Sequence, residues 1–261
     1  MQHKQDAQTV LALVDIDDMW CHTTRKFGKY VGDPVTLGEP CAFDEAGKPV
    51  SYRSAPQRAM LDLLLNNARV VPCTGRSVSK YRRVQLGFGD YAIVSFGGVI
   101  LQPDGTPEPG WHAEMSRSAA AEADAMRAML SVAREGAKRI NADDLSVELI
   151  SDAGLDLVIK VQSKGGEQAY LDELGEVFRD RAPVSWMVHL NDGQLSALPK
   201  FLGKVPACRY FLENLAGASE LVIGCGDSLS DLGFVGLCHF MVTPTQSQIF
   251  RSVSNLATEG E

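Results

Sequence analysis

The 261-residue sequence has no long apolar run, no block of like charge, no CxxC pair and no internal repeat. Each absence removes a class of protein. A membrane-spanning helix needs about 18 or more consecutive apolar residues, and none occur, so no membrane partner is expected. The N-terminal MQHKQDAQTV is polar, and the apolar LALV after it runs at once into Asp15. That pattern is not a signal peptide, and the cytosol is the expected compartment. The formal net charge of -8 is spread along the chain without a long block of one sign, which disfavours a surface for wrapping nucleic acid. The six cysteines (Cys21, Cys41, Cys73, Cys208, Cys225, Cys238) are scattered. They read as reduced thiols in the core, not as a disulfide framework or a zinc site. A GxxxxGK[ST] phosphate loop is missing too, so a nucleotide switch is excluded. Oligomeric state cannot be read from any of these features.

What is present is ordinary soluble material, 45% hydrophobic and 22% charged, enough for one large core or two smaller ones. Residues 10–14 form a short apolar run ending in carboxylates, as a buried parallel strand does when its C-terminal end opens at a site. A helix is predicted over 55–67, where Pro56 suits the first turn and Met60, Leu61, Leu64 and Leu65 recur at helical spacing. Strands are predicted over 69–73, 91–101 (interrupted by Gly97-Gly98) and 221–225. Strands separated by helices at this spacing predict an α/β fold with a Rossmann-like parallel sheet, whose ligands gather at the strands' C-terminal ends.

The middle of the chain has a different rhythm: helix over 116–139, strands over 145–150 and 155–162, helix over 166–179, strands over 184–190 and 194–198. Asp152-Ala153-Gly154 and Asn191-Asp192-Gly193 serve as turns. This αββαββ pattern predicts an inserted α+β domain over 111–194, with the core domain in two parts, 1–110 and 195–261. Alternation places Leu145, Val147, Leu149, Leu155, Leu157, Ile159, Val161, Val184, Trp186 and Val188 under the helices. Glu148, Val158, Lys160, Met187 and His189 fall on the other face. Residues 21–52 have no clear periodicity beyond a hairpin at Glu45-Ala46-Gly47-Lys48.

Four polar sites follow these elements. Val14-Asp15-Ile16-Asp17-Asp18 puts two carboxylates two residues apart where a strand runs out, a repulsive arrangement unless a cation or a shared proton compensates. Alone, such a pair reads better as a helix N-cap or a solvated loop. Thr74-Gly75-Arg76 offers a hydroxyl and backbone N–H groups suited to phosphate oxygens. Lys204 precedes a helix over 207–214 and can neutralise phosphate charge. Gly224-Cys225-Gly226-Asp227-Ser228-Leu229-Ser230-Asp231 adds two carboxylates after a buried strand, a spacing suited to a hard cation. The Gly-x-Gly there is not a dinucleotide fingerprint, since its third glycine would fall on Leu229.

Taken in order, DxD, Thr-Gly-Arg, a lysine opening a helix, and GDSxSD resemble the four motifs of the haloacid dehalogenase superfamily, over the whole chain. The inserted unit resembles the cap of the subclass with Cof-type sugar phosphatases, sucrose-phosphate phosphatase and phosphomannomutase. The stretches LVDIDD, TGRSVSKYRRVQL, SFGGVI and GDSLSDL are similar to a hydrolase group encoded beside tellurium-resistance proteins. The resemblance implies a Mg²⁺-dependent hydrolase of a small phosphorylated metabolite. Asp15 would be the nucleophile and Asp17 the general acid/base, while Thr74 and Lys204 would hold the phosphoryl group. Mg²⁺ would bind Asp15, Asp227 and the backbone carbonyl of Asp17, with Asp231 and Ser228 supporting them. Lys204 is preferred to Lys200 because GKVPACRYFLENL follows the SKGxAL-helix pattern.

Gly75 and Arg76, and on the inserted unit's outer face Glu148, Lys160 and His189, are the expected substrate contacts. The chain departs from the pattern at Asp18, where glycine is usual, at Met19 for threonine and at Ser230 for asparagine. Phosphomutase activity and a catalytically weak phospho-ligand sensor are the alternative readings.

Overall fold

The computed structural model describes residues 10–258 except 142 and 192. They form two compact units: 10–108 with 204–258, and 109–203. The chain opens with β1 (Val10–Val14), then β2 (His22–Thr23), α1 (Thr24–Tyr30), α2 (Pro34–Leu37), β3 (Glu39–Phe43) and β4 (Pro49–Arg53). After these come α3 (Ala55–Asn67), β5 (Arg69–Pro72), α4 (Val78–Tyr81), β6 (Ala92–Val94) and β7 (Val99–Leu101). The second unit holds α5 (Pro109–Ala121), α6 (Ala123–Asn141), β8 (Leu145–Asp152), β9 (Leu155–Ser163), α7 (Gln168–Arg181), β10 (Met187–Asn191) and β11 (Gln194–Leu198). The chain returns through α8 (Lys204–Asn214), β12 (Leu221–Cys225), α9 (Leu232–Val235), β13 (Phe240–Val242) and α10 (Gln248–Thr258). Among the described residues no helix is long and apolar enough to cross a membrane.

The first unit is built on a parallel sheet in the order β13-β12-β1-β5. β1 lies inside it, and Leu11, Ala12, Leu13 and Val14 are fully buried, as a strand covered on both faces requires. Ser54 and Gln57 form a capping box at the start of α3, and Leu61 and Leu64 of that helix pack with Ala12, Val14 and Ile16. The sheet continues past β5 through a parallel bridge from Cys73 to Ile93. The segment read as one strand over 91–101 is two: β6 and β7 pair antiparallel across Ser95–Gly97, whose φ angles are 53°, 56° and 88°. The aperiodic segment 21–52 forms a small antiparallel sheet, β2-β4-β3. Its turn closes between Asp44 and Lys48, with Gly47 at φ 76°.

The second unit has an antiparallel sheet in the order β10-β11-β9-β8. Ile159, Val161, Leu195 and Ala197 pack with Met129, Leu171, Leu174 and Phe178 of α6 and α7. Three expectations are corrected here. β11 pairs with both β9 and β10, so residues 195–203 belong to this unit and not to the core part expected from 195. The helix expected over 116–139 is two helices broken at Glu122, whose carboxylate accepts the Trp186 indole N–H at 3.0 Å. Val184 precedes β10 and is fully exposed, so alternation holds for Trp186 but not for Val184. The turn expected at Asp192 lies outside the described residues.

Candidate active site

β1, β5 and β12 end side by side, and the polar residues just after them converge there. The Asp15 N–H donates to the Cys225 carbonyl at 2.8 Å, and the Cys73 N–H to the Val14 carbonyl at 2.7 Å, so these extensions stay in register. Asp15 is buried. Lys204, the first residue of α8, donates to Asp15 Oδ1 at 2.6 Å and to Asp231 Oδ1 at 2.7 Å. The other Asp231 oxygen accepts from the Ser228 hydroxyl (2.8 Å), the Ser228 N–H (3.1 Å) and the Asp227 N–H (3.3 Å). Asp231 is thus engaged on both oxygens by the protein itself, which suits it to fixing Lys204 and the loop. Gly226 makes this possible, since a Cβ there would lie 2.6 Å from Asp231 Cβ.

Asp15, Asp227 and Asp231 each place one oxygen within 4.8 Å of the others. Burial, with Asp15, Asp231 and Asp18 nearby, pushes Asp227 up to about 8; Lys204 works against this. Burial also pushes Asp15 up to about 7, opposed by Lys204 and aided by Asp231 and Asp17. Burial disfavours the Lys204 charge, but Asp15 and Asp231 overcome it and hold the ammonium protonated well above its usual range. One lysine therefore faces three clustered carboxylates. An all-oxygen donor set with uncompensated negative charge fits a hard divalent cation.

Thr74 is fully buried; its Oγ1 accepts the Arg76 N–H at 3.1 Å. The Ser95 N–H donates to the Arg76 carbonyl (2.7 Å) and the Phe96 N–H to the Thr74 carbonyl (3.2 Å). The Phe96 ring lies where a Cβ on Gly75 would be, 2.6 Å from that position, so only glycine fits. Sequence reasoning missed Phe96 here; the Gly97-Gly98 pair marked an interruption of the strand but not an aromatic at positive φ. The fork of Arg76 rests on Asp17: Nε donates to Oδ2 at 2.9 Å and Nη2 to Oδ1 at 2.6 Å. Asp18 has φ 62°, which explains why glycine suits this position and why aspartate, tolerant of left-handed backbone, can replace it. Its carboxylate is held by His22 Nδ1 at 3.0 Å and by the Lys26 ammonium. Although burial opposes it, those partners keep Asp18 below the usual carboxylate range.

The remaining expected residues lie in the second unit. Cα register places Glu148 opposite Lys160, Lys160 opposite Ser196, and Ser196 opposite His189. The three candidates therefore occupy one transverse row of that sheet, with Ser196 as a fourth member that strand alternation alone did not single out.

No family profile and no curated protein matches the sequence. Solved structures do. The sucrose-phosphatase of Synechocystis sp. PCC6803, in complex with sucrose and phosphate, is similar with a TM-score of 0.54 and 16% identity, over 97% of this chain and 98% of that one. A Thermoplasma acidophilum protein gives 0.52 and 12%, over 95% and 90%. The Aspergillus fumigatus trehalose-6-phosphate phosphatase gives 0.50 and 15%, over 94% and 86%. At these identities the likeness is one of fold. This chain shares the fold of these solved structures, a parallel α/β core with an inserted α+β unit.

Proposed function

We propose that the chain is a Mg²⁺-dependent phosphomonoester hydrolase that works through an aspartyl-phosphate on Asp15. The observation that carries this reading is the buried Asp15 carboxylate at the end of β1, facing Lys204 and flanked by Asp227 and Asp231. A carboxylate so placed meets an incoming phosphorus with a cation beside it. Asp15 attacks phosphorus, and the leaving oxygen takes a proton from Asp17 as its bond to phosphorus breaks. Asp17 then accepts a proton from the water that attacks the same phosphorus and frees Asp15. Thr74 and Lys204 hold the phosphoryl oxygens. Asp15, Asp227 and the Asp17 carbonyl would hold Mg²⁺, which supplies charge neutralisation when bound.

The two named neighbours above are phosphatases of sugar phosphates, and a polar sugar body is the substrate class proposed here. Glu148, Lys160 and His189 of the second unit, with Ser196 in the same row, carry hydrogen-bonding groups of the kind such a body needs. The test is phosphate release from p-nitrophenyl phosphate and a panel of sugar phosphates with Mg²⁺ present. Asp15→Asn should lower turnover by ~10³-fold or more while the protein still folds. Near-normal turnover in that variant would overturn the assignment, and an isomer formed without free phosphate would favour a mutase.

A further inference from the structure

Arg76 comes from a motif that resembles a phosphate-binding turn, yet its guanidinium is not presented to a ligand. Its guanidinium is spent on Asp17 in a bidentate fork. The Arg76 side chain is 14% exposed and that of Asp17 is 45% exposed, so the group offered outward is the carboxylate and the guanidinium is its buried mount. Arg76 is itself fixed at both ends of its backbone, by Thr74 Oγ1 and by the Ser95 N–H. We infer that Arg76 is a positioning residue for the Asp17 acid/base, tying the proton-transfer group rigidly to the turn that carries Thr74. This rests on the hydrolase reading above.

The physical case is geometric. A guanidinium is planar, and two parallel N–H···O bonds fix both the position and the plane of a carboxylate, which a single ammonium contact does not. Such placement is what makes general acid catalysis efficient. The fork also accounts for Asp17's absence from the cluster of Asp15, Asp227 and Asp231: its side chain is turned toward Arg76 and does not compete for the cation.

The test is the dependence of kcat/KM on the leaving group, using p-nitrophenyl, p-chlorophenyl and phenyl phosphate with Mg²⁺. p-Nitrophenolate departs with little need of a proton, whereas phenolate needs one. Arg76→Lys keeps the charge and loses the fork; Arg76→Met loses both. Both variants are expected to steepen the leaving-group dependence, with the phenyl to p-nitrophenyl ratio falling ~10-fold, a fraction of the ~10²–10⁴ that a general acid contributes. In an Asp17→Asn background, adding Arg76→Lys should not steepen it further.

A uniform loss across the three esters would make Arg76 a phosphoryl binder or a purely structural residue and overturn the inference. So would Arg76→Lys matching the parent, or further steepening in the Asp17→Asn background. Parent protein that releases no phosphate from any ester would instead sink the hydrolase reading, and this one with it.

Discussion

At the scale of single residues, Lys204 has the most charge to balance. Among the described residues it is the one cation bonded to both Asp15 and Asp231; those two carboxylates are buried and Lys204 is 12% exposed. Removing one partner of a buried ionic group leaves charge without compensation, a loss of about 3–5 kcal/mol. Lys204→Met keeps most of the side chain's volume, so its effect isolates the charge. The expected outcome is a marked drop in urea midpoint without Mg²⁺, together with a loss of turnover of ~10²-fold or more from missing phosphoryl stabilisation. Unchanged stability and turnover would mean that Lys204 does not organise the site. Asp15, Asp227 and Lys204 were visible in the sequence because each abuts a recognisable strand or helix. The pairing of Arg76 with Asp17 was not, since it joins residues 59 positions apart and depends on a side-chain direction that no spacing encodes.

Elements with one dominant signal were legible: β1 and β12 as pure apolar runs, α3 from its spacing and capping residues. Where two signals competed, the reading failed. The apolar content of 91–101 outweighed Gly97-Gly98, although three successive positive φ angles reverse the chain there. An alanine-rich stretch read as one helix is split at Glu122, where a hydrogen bond to the distant Trp186 indole is made. The loop after β12 is tightly specified by sterics. In Gly226→Ala the new Cβ would press on Asp231 Cβ, which cannot yield because Lys204, Ser228 and Asp227 hold its carboxylate. Overpacking of this kind costs ~1–3 kcal/mol. The variant should melt earlier and lose activity together, and a Gly226→Ala protein with parental melting and turnover would contradict the geometry.

At the scale of the whole molecule, the carboxylate cluster links stability, pH and metal. Asp15 and Asp227 are raised from 3.8 to about 7 and about 8 in the folded protein. Between pH 4 and 8 the metal-free folded state therefore holds protons that the unfolded chain has released. Stability from these two groups is full below about pH 4 and is lost as pH rises through about 7 and 8. A divalent cation replaces those protons and should bind more tightly as they leave. Mg²⁺ at ~100 times its dissociation constant stabilises by about 2.7 kcal/mol, so the effect is large enough to read in a melting curve. The expected result is a small Mg²⁺-induced rise in Tm at pH 5.5 and a clearly larger one at pH 8.5. Asp227→Asn removes one of the repelling charges. Without metal, that variant should be more stable than the parent at pH 8.5 and should lose most of its response to Mg²⁺. A Mg²⁺ shift independent of pH, or an Asp227→Asn variant that still responds fully, would mean that the cation is held elsewhere.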